Sequence, residues 1–304
     1  MRTIFIMLRV PNLLIIALTF LLLRYLVFIP VYNSYSIISE MASMHYMLMI
    51  TVTILIAVAG YISNDYFDVV TDSVNKPHKQ YIGLKITARS ALATAFLSSL
   101  LASVLGIWLS VLMRSWLPGI LFLLALTVAW WYALQLKKSF IWGNIAVAGM
   151  SAGTIAMAWL VENQASQVAD KPFRIITGIV TAISIFAFLL SLLREIVKDM
   201  EDMEGDRLIH CKSIPIVKGI PFTKTLLLIL AVITFILLII AQIYLLQFSR
   251  FIAVGWLLIC VEFPLMYFIK SLKSAKIKAD YLKLSTMLKW IMLGGIGSII
   301  AGQF

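Results

Sequence analysis

The stretch FTKTLLLILAVITFILLIIAQIYLL, residues 222–246, decides the fold class. After Lys224 it contains no charged residue and consists mostly of Leu and Ile. A helix of about 20 apolar residues crosses a hydrocarbon core of roughly 30 Å. A strand of a membrane barrel would be about half as long and would alternate in polarity. The stretch therefore predicts a transmembrane helix.

The rest of the chain has the same character. Its 304 residues are 62% hydrophobic and 13% charged, which is more apolar surface than one soluble core can bury. We predict an all-α, polytopic membrane protein of nine transmembrane helices, folded as a single domain over residues 1–304. The predicted spans cover approximately residues 10–30, 42–64, 87–110, 116–135, 140–161, 174–197, 222–246, 251–270 and 285–303.

Basic residues predict the orientation. Of 25 lysines and arginines, twenty fall on one side of the nine spans and five on the other. By the positive-inside rule, the N-terminus and the loops after the even-numbered spans are cytoplasmic, and the C-terminus is outside. This distribution accounts for the net charge of +11, so we expect no nucleic-acid partner. Cys211 and Cys260 are too few for a disulfide framework and are expected to be free thiols.

Acidic residues are concentrated in two short stretches, which contain nine of the fourteen. The first has Asp65, Asp68 and Asp72, and the second includes Asp199, Asp202 and Asp206. The intervals of three and four residues are the same in both, and on a helix such residues share one face. Both stretches lie at the predicted cytoplasmic ends of spans.

Carboxylates on one helical face repel one another unless a cation lies between them. Mg²⁺ is suited to this position because it prefers oxygen ligands and is held by one or two carboxylates together with phosphate oxygens. A single acidic stretch at a helix end would more often be solvated surface. The repeated spacing favours the metal site, with ligands predicted as Asp65, Asp68, Asp72, Asp199, Asp202 and Asp206.

Basic residues flank both stretches. Lys76 and Lys79 follow the first, Arg194 and Lys198 precede the second, and Lys212 follows it. Metal ions and lysines together suit a diphosphate, because they neutralise its oxygens and stabilise the charge that forms as it departs. The sequence thus predicts a diphosphate site, with Asp68, Asp72, Asp202 and Asp206 as its catalytic carboxylates.

Two motifs resemble those of the UbiA-type intramembrane prenyltransferases. NDYFDVVTD at residues 64–72 is similar to their first motif, and KDMEDMEGD at residues 198–206 to their second. RVPN at residues 9–12 is also typical of the family. The resemblance, which also extends over residues 132–137, implies further substrate-binding residues: Arg9, Asn12, Asn64, Tyr132 and Lys137.

The resemblance implies nine helices around a central cavity, with the two motifs facing each other under a cytoplasmic cap. It implies Mg²⁺ as cofactor, a polyprenyl diphosphate as donor, and a lipophilic acceptor within the membrane lipid. No obligate protein partner is expected. Aromatic rings can stabilise an allylic cation, so Trp130, Trp131 and Tyr132 are candidates for that role.

The acceptor has several candidates. NKPHK at residues 75–79 and REIVKD at residues 194–199 resemble the subgroup that contains chlorophyll synthases and digeranylgeranylglyceryl phosphate synthases. This implies a geranylgeranyl donor and a geranylgeranylglyceryl phosphate acceptor. The alternatives are a quinone precursor or chlorophyll-like acceptor, a terpene cyclase of the same fold, a structural membrane subunit, and a transporter of divalent cations or phosphate. A transporter would place charges near the membrane midplane.

Overall fold

The computed structural model describes residues 7–75, 81–167 and 170–303. It divides the chain into two compact units, each of which is described by itself. The first unit comprises Met1–Lys137 and Gly153–Gly178, and the second comprises Lys138–Ala152 and Ile179–Phe304. The single domain predicted from the sequence remains a prediction.

Helices account for nearly all of the described residues, and no β-strand occurs among them. Nine of these described helices are long and apolar enough to cross a membrane, which confirms the predicted fold class. A short helix, α3, lies between the second and third of them. In chain order the helices are α1 Val10–Ser34, α2 Ser43–Phe67, α3 Val69–Asn75, α4 Ala88–Leu112, α5 Leu117–Leu134, α6 Trp142–Ser166, α7 Asp170–Leu208, α8 Ile214–Gln247, α9 Phe251–Ser274 and α10 Lys278–Ala301.

Two helices differ most from the predicted spans. The sixth predicted span ends at residue 197, whereas α7 continues to Leu208 and includes the whole second acidic stretch. The helix α8 begins at Ile214, eight residues before the predicted start at residue 222. A kink at Gly219 separates its first turn from the apolar run. The φ of Gly219 is 81°, a conformation that glycine adopts without the steric cost of a Cβ. Hydropathy detects the apolar part of a helix and not its polar extension.

A buried ion pair lies in the first unit. Arg24 Nη1 on α1 is 3.4 Å from Glu162 Oε2 on α6, and both residues are almost fully buried. Arg24 also donates to the carbonyl oxygen of Met41, and Ser39 donates to Glu162. Arg24 lies within the first membrane-spanning helix, inside the span predicted for residues 10–30. A buried charge is tolerated there because it is paired and hydrogen-bonded.

In the second unit, α9 and α10 pack closely through glycines. A Cβ placed on Gly294 would lie 2.7 Å from the carbonyl oxygen of Cys260, and one on Gly297 would lie 2.7 Å from the indole ring of Trp256. The Trp256 indole N–H donates to the Gly294 carbonyl oxygen at 2.8 Å. Small residues at a helix interface in a membrane let the backbones approach, so dispersion contacts replace the hydrophobic drive that water would supply.

We expect Gly294→Ala to lower the thermal stability of the purified protein, because the new methyl group would collide with the backbone of α9. Overpacking of this kind costs about 1–3 kcal/mol. The matched control is Gly295→Ala, since a Cβ at Gly295 meets no described neighbour within 4 Å. Alanine favours a helix over glycine, so the control should be neutral or slightly stabilised. Thermal unfolding followed by size-exclusion chromatography measures both, and equal midpoints would contradict the packing argument.

Candidate active site

The first acidic stretch is not one continuous helix. The helix α2 ends at Phe67, Asp68 has non-helical dihedral angles, and α3 begins at Val69. The helix is therefore interrupted at Asp68, although the backbone N–H groups of Asp68 and Asp72 still donate to the carbonyl oxygens four residues earlier. A shared face for the three aspartates remains a prediction. The Asp68 carboxylate accepts hydrogen bonds from Asn64 Nδ2 at 2.7 Å and from the Thr71 hydroxyl at 3.2 Å. Thr71 also donates to the Asp68 carbonyl oxygen, and local bonds of this kind compete with the helical pattern.

Two cations of the protein compensate the first stretch. Arg9 Nη2 lies 2.6 Å from Asp65 Oδ1, and the Arg9 guanidinium lies over the Tyr61 ring. Lys137, which follows α5, forms an ion pair with Asp68. Arg9 has a φ of 50°, an uncommon conformation for a residue with a side chain, at the start of α1. The sequence predicted both cations as substrate-binding residues, and the structure places both directly on the aspartates.

The donors around the first stretch fit a hard divalent cation. Asn64 Oδ1 is buried and has no hydrogen-bond partner among the described residues, its amide nitrogen donates to the Asp68 carboxylate, and Asp65 is the next residue in the chain. Oxygen donors of this kind are those that Mg²⁺ prefers. Within the described ranges, no three His, Cys, Asp or Glu side chains are grouped to hold an ion by themselves. An ion here would therefore also need phosphate or water oxygens, and the six-aspartate ligand set remains a prediction.

The second acidic stretch lies within α7. Asp199, Asp202 and Asp206 share one face of this helix, as the spacing predicted. The Asp199 carboxylate accepts a hydrogen bond from Asn144 Nδ2 of α6 at 2.8 Å. Asn144 is buried and was not among the predicted site residues, although a lone asparagine near the end of a membrane helix is a signal for such a role.

A buried glutamate organises the cations beside the second stretch. Glu195 Oε1 lies 2.6 Å from Arg194 Nη1, and Glu195 Oε2 lies 3.1 Å from Lys198 Nζ. Glu195 was not among the predicted site residues. The structure shows that Arg194 and Lys198 are held by one carboxylate, which offsets their charge and restricts their positions.

The remaining predicted substrate-binding residues are not all brought together by the structure. The backbone N–H of Lys212 donates to the Lys138 carbonyl oxygen at 3.0 Å, and its side chain is exposed. Asn12 and Tyr132 are half-buried in the first unit. Lys76 and Lys79 lie outside the described residues. The first stretch belongs to one unit and the second to the other, so their predicted facing arrangement remains a prediction.

The tryptophans proposed to stabilise a cation have other contacts. Trp130 stacks on Phe96 of α4, with ring centroids 5.0 Å apart, and its indole N–H donates to Ser99. Trp131 is exposed on the surface of α5. These contacts give Trp130 a packing role between α4 and α5. Trp131 is exposed, so its ring is not enclosed in a site within the first unit.

Comparison with known proteins identifies the family. The profile of the UbiA prenyltransferase family matches residues 13–291, nearly the whole chain. The chain belongs to the UbiA prenyltransferase family. The resemblance predicted from the two motifs is thereby confirmed.

Several sequence relatives are digeranylgeranylglyceryl phosphate synthases. The chain is 31% identical to the synthase of Saccharolobus solfataricus over 239 residues, which is 77% of this chain and 78% of that protein. It is 30% identical to the synthase of Methanobrevibacter smithii over 161 residues, 53% of this chain and 54% of that protein. The chain thus spans about half the length of some curated relatives and about three quarters of others.

Solved structures confirm the fold. A structure described as digeranylgeranylglyceryl phosphate synthase in membranes has a TM-score of 0.64 and 22% identity, covering 99% of this chain and 98% of that one. A UbiA homologue from Archaeoglobus fulgidus bound to DMAPP and Mg²⁺ has a TM-score of 0.57 and 16% identity, with coverage of 95% and 97%. This chain is therefore a multi-pass integral membrane protein of the UbiA fold.

We expect Lys137→Met to raise the affinity of the substrate-free protein for a divalent cation, because the lysine ammonium competes for Asp68. Loss of a charge-assisted contact of at least about 1.5 kcal/mol corresponds to roughly ten-fold in affinity. Titration with Mn²⁺ followed by electron paramagnetic resonance measures this. The control is Lys138→Met, which removes the adjacent exposed lysine and should leave the affinity unchanged. Unchanged affinity in both variants would show that Asp68 does not bind the cation.

Proposed function

We propose that this protein is a Mg²⁺-dependent prenyltransferase that transfers a geranylgeranyl group from its diphosphate to a hydroxyl of geranylgeranylglyceryl phosphate in the membrane. The observation that carries the proposal is the 31% identity to the Saccharolobus solfataricus synthase across about three quarters of both chains. Membership of the prenyltransferase family and the two intact acidic motifs support it.

The carboxylates and cations of the described residues have distinct parts in this proposal. Asp65, Asp68, Asp72 and the amide oxygen of Asn64 would hold Mg²⁺ in the first unit, and Asp199, Asp202 and Asp206 would do so in the second. Bound Mg²⁺ supplies a Lewis acid that neutralises diphosphate oxygens and stabilises the departing diphosphate. Lys137 and Arg9, which pair with Asp68 and Asp65 in this structure, would be free to bind phosphate oxygens when those aspartates hold the metal.

The second group of cations is suited to the leaving group. Arg194 and Lys198 are fixed by Glu195 next to the second motif, so they meet developing negative charge with little reorganisation. We propose that Lys76, Lys79 and Lys212 bind the same diphosphate. Asn12 and Tyr132, both in the first unit, are proposed to contact the prenyl donor.

The reaction balances without any further reactant. The bond between C1 of the prenyl chain and the bridging oxygen breaks, and its electron pair leaves with the diphosphate. The acceptor hydroxyl oxygen forms a bond to C1 and loses its proton, which the released diphosphate can accept. The allylic cation formed between these events must be protected from water, which apolar helices can do. A terpene cyclase would form the same cation but would release a product without the acceptor.

A single assay separates the candidate functions. Purified protein in lipid is incubated with Mg²⁺, radiolabelled geranylgeranyl diphosphate and, in separate reactions, geranylgeranylglyceryl phosphate, a quinone precursor or no acceptor. We expect labelled digeranylgeranylglyceryl phosphate and free diphosphate. A labelled hydrocarbon without acceptor would indicate a cyclase, and prenylation of the quinone precursor alone would contradict the proposed acceptor.

Substitution of single aspartates tests the proposed metal role. Asp68→Asn and Asp202→Asn keep side-chain size but remove a charge that balances Mg²⁺, so we expect a fall of about a hundred-fold or more in turnover. Asp280→Asn is the control, because Asp280 caps the start of α10 through the backbone N–H groups of Lys276 and Ile277, and asparagine caps a helix equally well. Near-normal turnover of both motif variants would show that the stretches are merely interfacial.

We also propose the predicted orientation, in which the acidic motifs face the cytoplasm. Lys276→Cys and Gln247→Cys lie at opposite ends of the second unit's helices, in a background without Cys211 and Cys260. An impermeant maleimide added to intact cells should label position 247, and it should label position 276 only after permeabilisation. The reverse pattern would invert the topology.

A further inference from the structure

A groove runs along the outer surface of α9 and α10 in the second unit. Its volume is about 510 Å³. Apolar side chains provide most of its lining, and Trp290 is 69% exposed within it. Both helices are candidate membrane spans, and we infer that their exposed apolar surface faces lipid. Residues that define the groove include Cys260, Pro264, Leu282, Lys283, Met287 and Trp290.

One end of the groove is basic. Lys283 contributes to the lining, and it lies between the start of α10 and Trp290. Residues 270–289, which include the connection between α9 and α10, contain six lysines and a single acid, Asp280. The Asp280 carboxylate accepts hydrogen bonds from two backbone N–H groups at the start of α10 and also attracts Lys283 electrostatically, but one acid offsets only one of the six lysines. The groove thus combines an apolar channel with a positive end.

We propose that this groove binds an anionic phospholipid of the surrounding bilayer, with its phosphate at Lys283 and one acyl chain lying toward Trp290. The separation of seven residues corresponds to about 10 Å along a helix, which matches the upper part of an acyl chain. A cationic pocket between membrane helices attracts anionic head groups, whereas a zwitterionic lipid has no net charge to be attracted. Charge complementarity therefore selects the anionic lipid.

The positive-inside rule accounts for the lysines of this segment but not for the groove. The two explanations differ in what they predict for individual lysines. Under the rule alone, Lys283 and Lys270 are equivalent, because both are exposed at the same end of the α9 and α10 pair. In the proposed site only Lys283 matters, since Lys270 is not part of the groove lining.

The site lies at the same end of the second unit as the second acidic stretch. Ser285, two residues after Lys283, donates to the buried Glu201 carboxylate at 3.2 Å. The helix α10 therefore contacts the second acidic stretch through Ser285 on one face, and a lipid in the groove would contact its other face. The binding itself does not depend on the proposed prenyl transfer, and its test needs no catalytic assay.

Trp290 provides the probe. Full-length protein is reconstituted in phosphatidylcholine vesicles in which a rising fraction is acyl-dibrominated phosphatidylglycerol or acyl-dibrominated phosphatidylcholine, since bromine quenches tryptophan at contact. The signal of Trp290 among the eight tryptophans is the difference between the wild type and Trp290→Phe. We expect brominated phosphatidylglycerol to quench half of the Trp290 signal at a mole fraction about five-fold lower than brominated phosphatidylcholine does. A preference of about five-fold is what one lysine near the membrane surface should give.

Paired lysine variants decide whether the preference belongs to the groove. Lys283→Ala and Lys283→Gln should both reduce the preference for phosphatidylglycerol to a ratio near one, whereas Lys270→Ala should retain the ratio of about five-fold. Added salt should lower the ratio in the wild type because the contact is electrostatic. Circular dichroism verifies that the variants remain helical. Equal quenching by the two lipids in the wild type, or equal losses from the Lys283 and Lys270 variants, would overturn the proposal.

Discussion

Charge compensation within or beside a membrane is the constraint on which this structure depends. A carboxylate in a span is expensive unless a cation or several donors accompany it. Four acids of the chain follow this rule, each in its own way. Asp65 has Arg9, Asp68 has Lys137, Glu195 has Arg194 and Lys198, and Glu162 has Arg24 and two serines.

The same constraint relates stability to function. Two ion pairs meet where α2 ends and α3 begins. The Arg9–Asp65 pair holds the start of α1 there, and the Lys137–Asp68 pair holds the segment that follows α5. A metal ion with a diphosphate would bring both new positive and new negative charge to that place. Carboxylates could then turn to the metal and cations to the phosphates, without leaving any charge unpaired. The pair of Arg24 and Glu162 lies within spanning helices and is connected to Met41 and Ser39, so its role is to hold these segments together.

Sequence reasoning succeeded where a residue's role follows from its own chemistry and its local spacing. Apolar runs predicted the spanning helices, because lipid requires every backbone group to be bonded within its own segment. The two acidic motifs and their family resemblance predicted Arg9 and Lys137 as members of the first site. The break in the helix at Asp68 was not predicted, since the hydrogen bonds that Asn64 and Thr71 donate to Asp68 cannot be recognised from spacing alone. It also missed Asn144 and Glu195, whose roles depend on neighbours.

By itself, the sequence determined that this protein is helical, lies in a membrane, carries two aspartate motifs and belongs to a prenyltransferase family. These properties depend on composition and short-range order, which the chain holds before it folds. Only the tertiary structure decided which cation meets which carboxylate, where Asn144 donates, and how Lys283 and Trp290 come to share one groove. Partners distant in sequence, such as Lys137 and Asp68, meet only when helices pack. Side-chain contacts between two helices depend on how each helix is rotated about its axis and shifted along it.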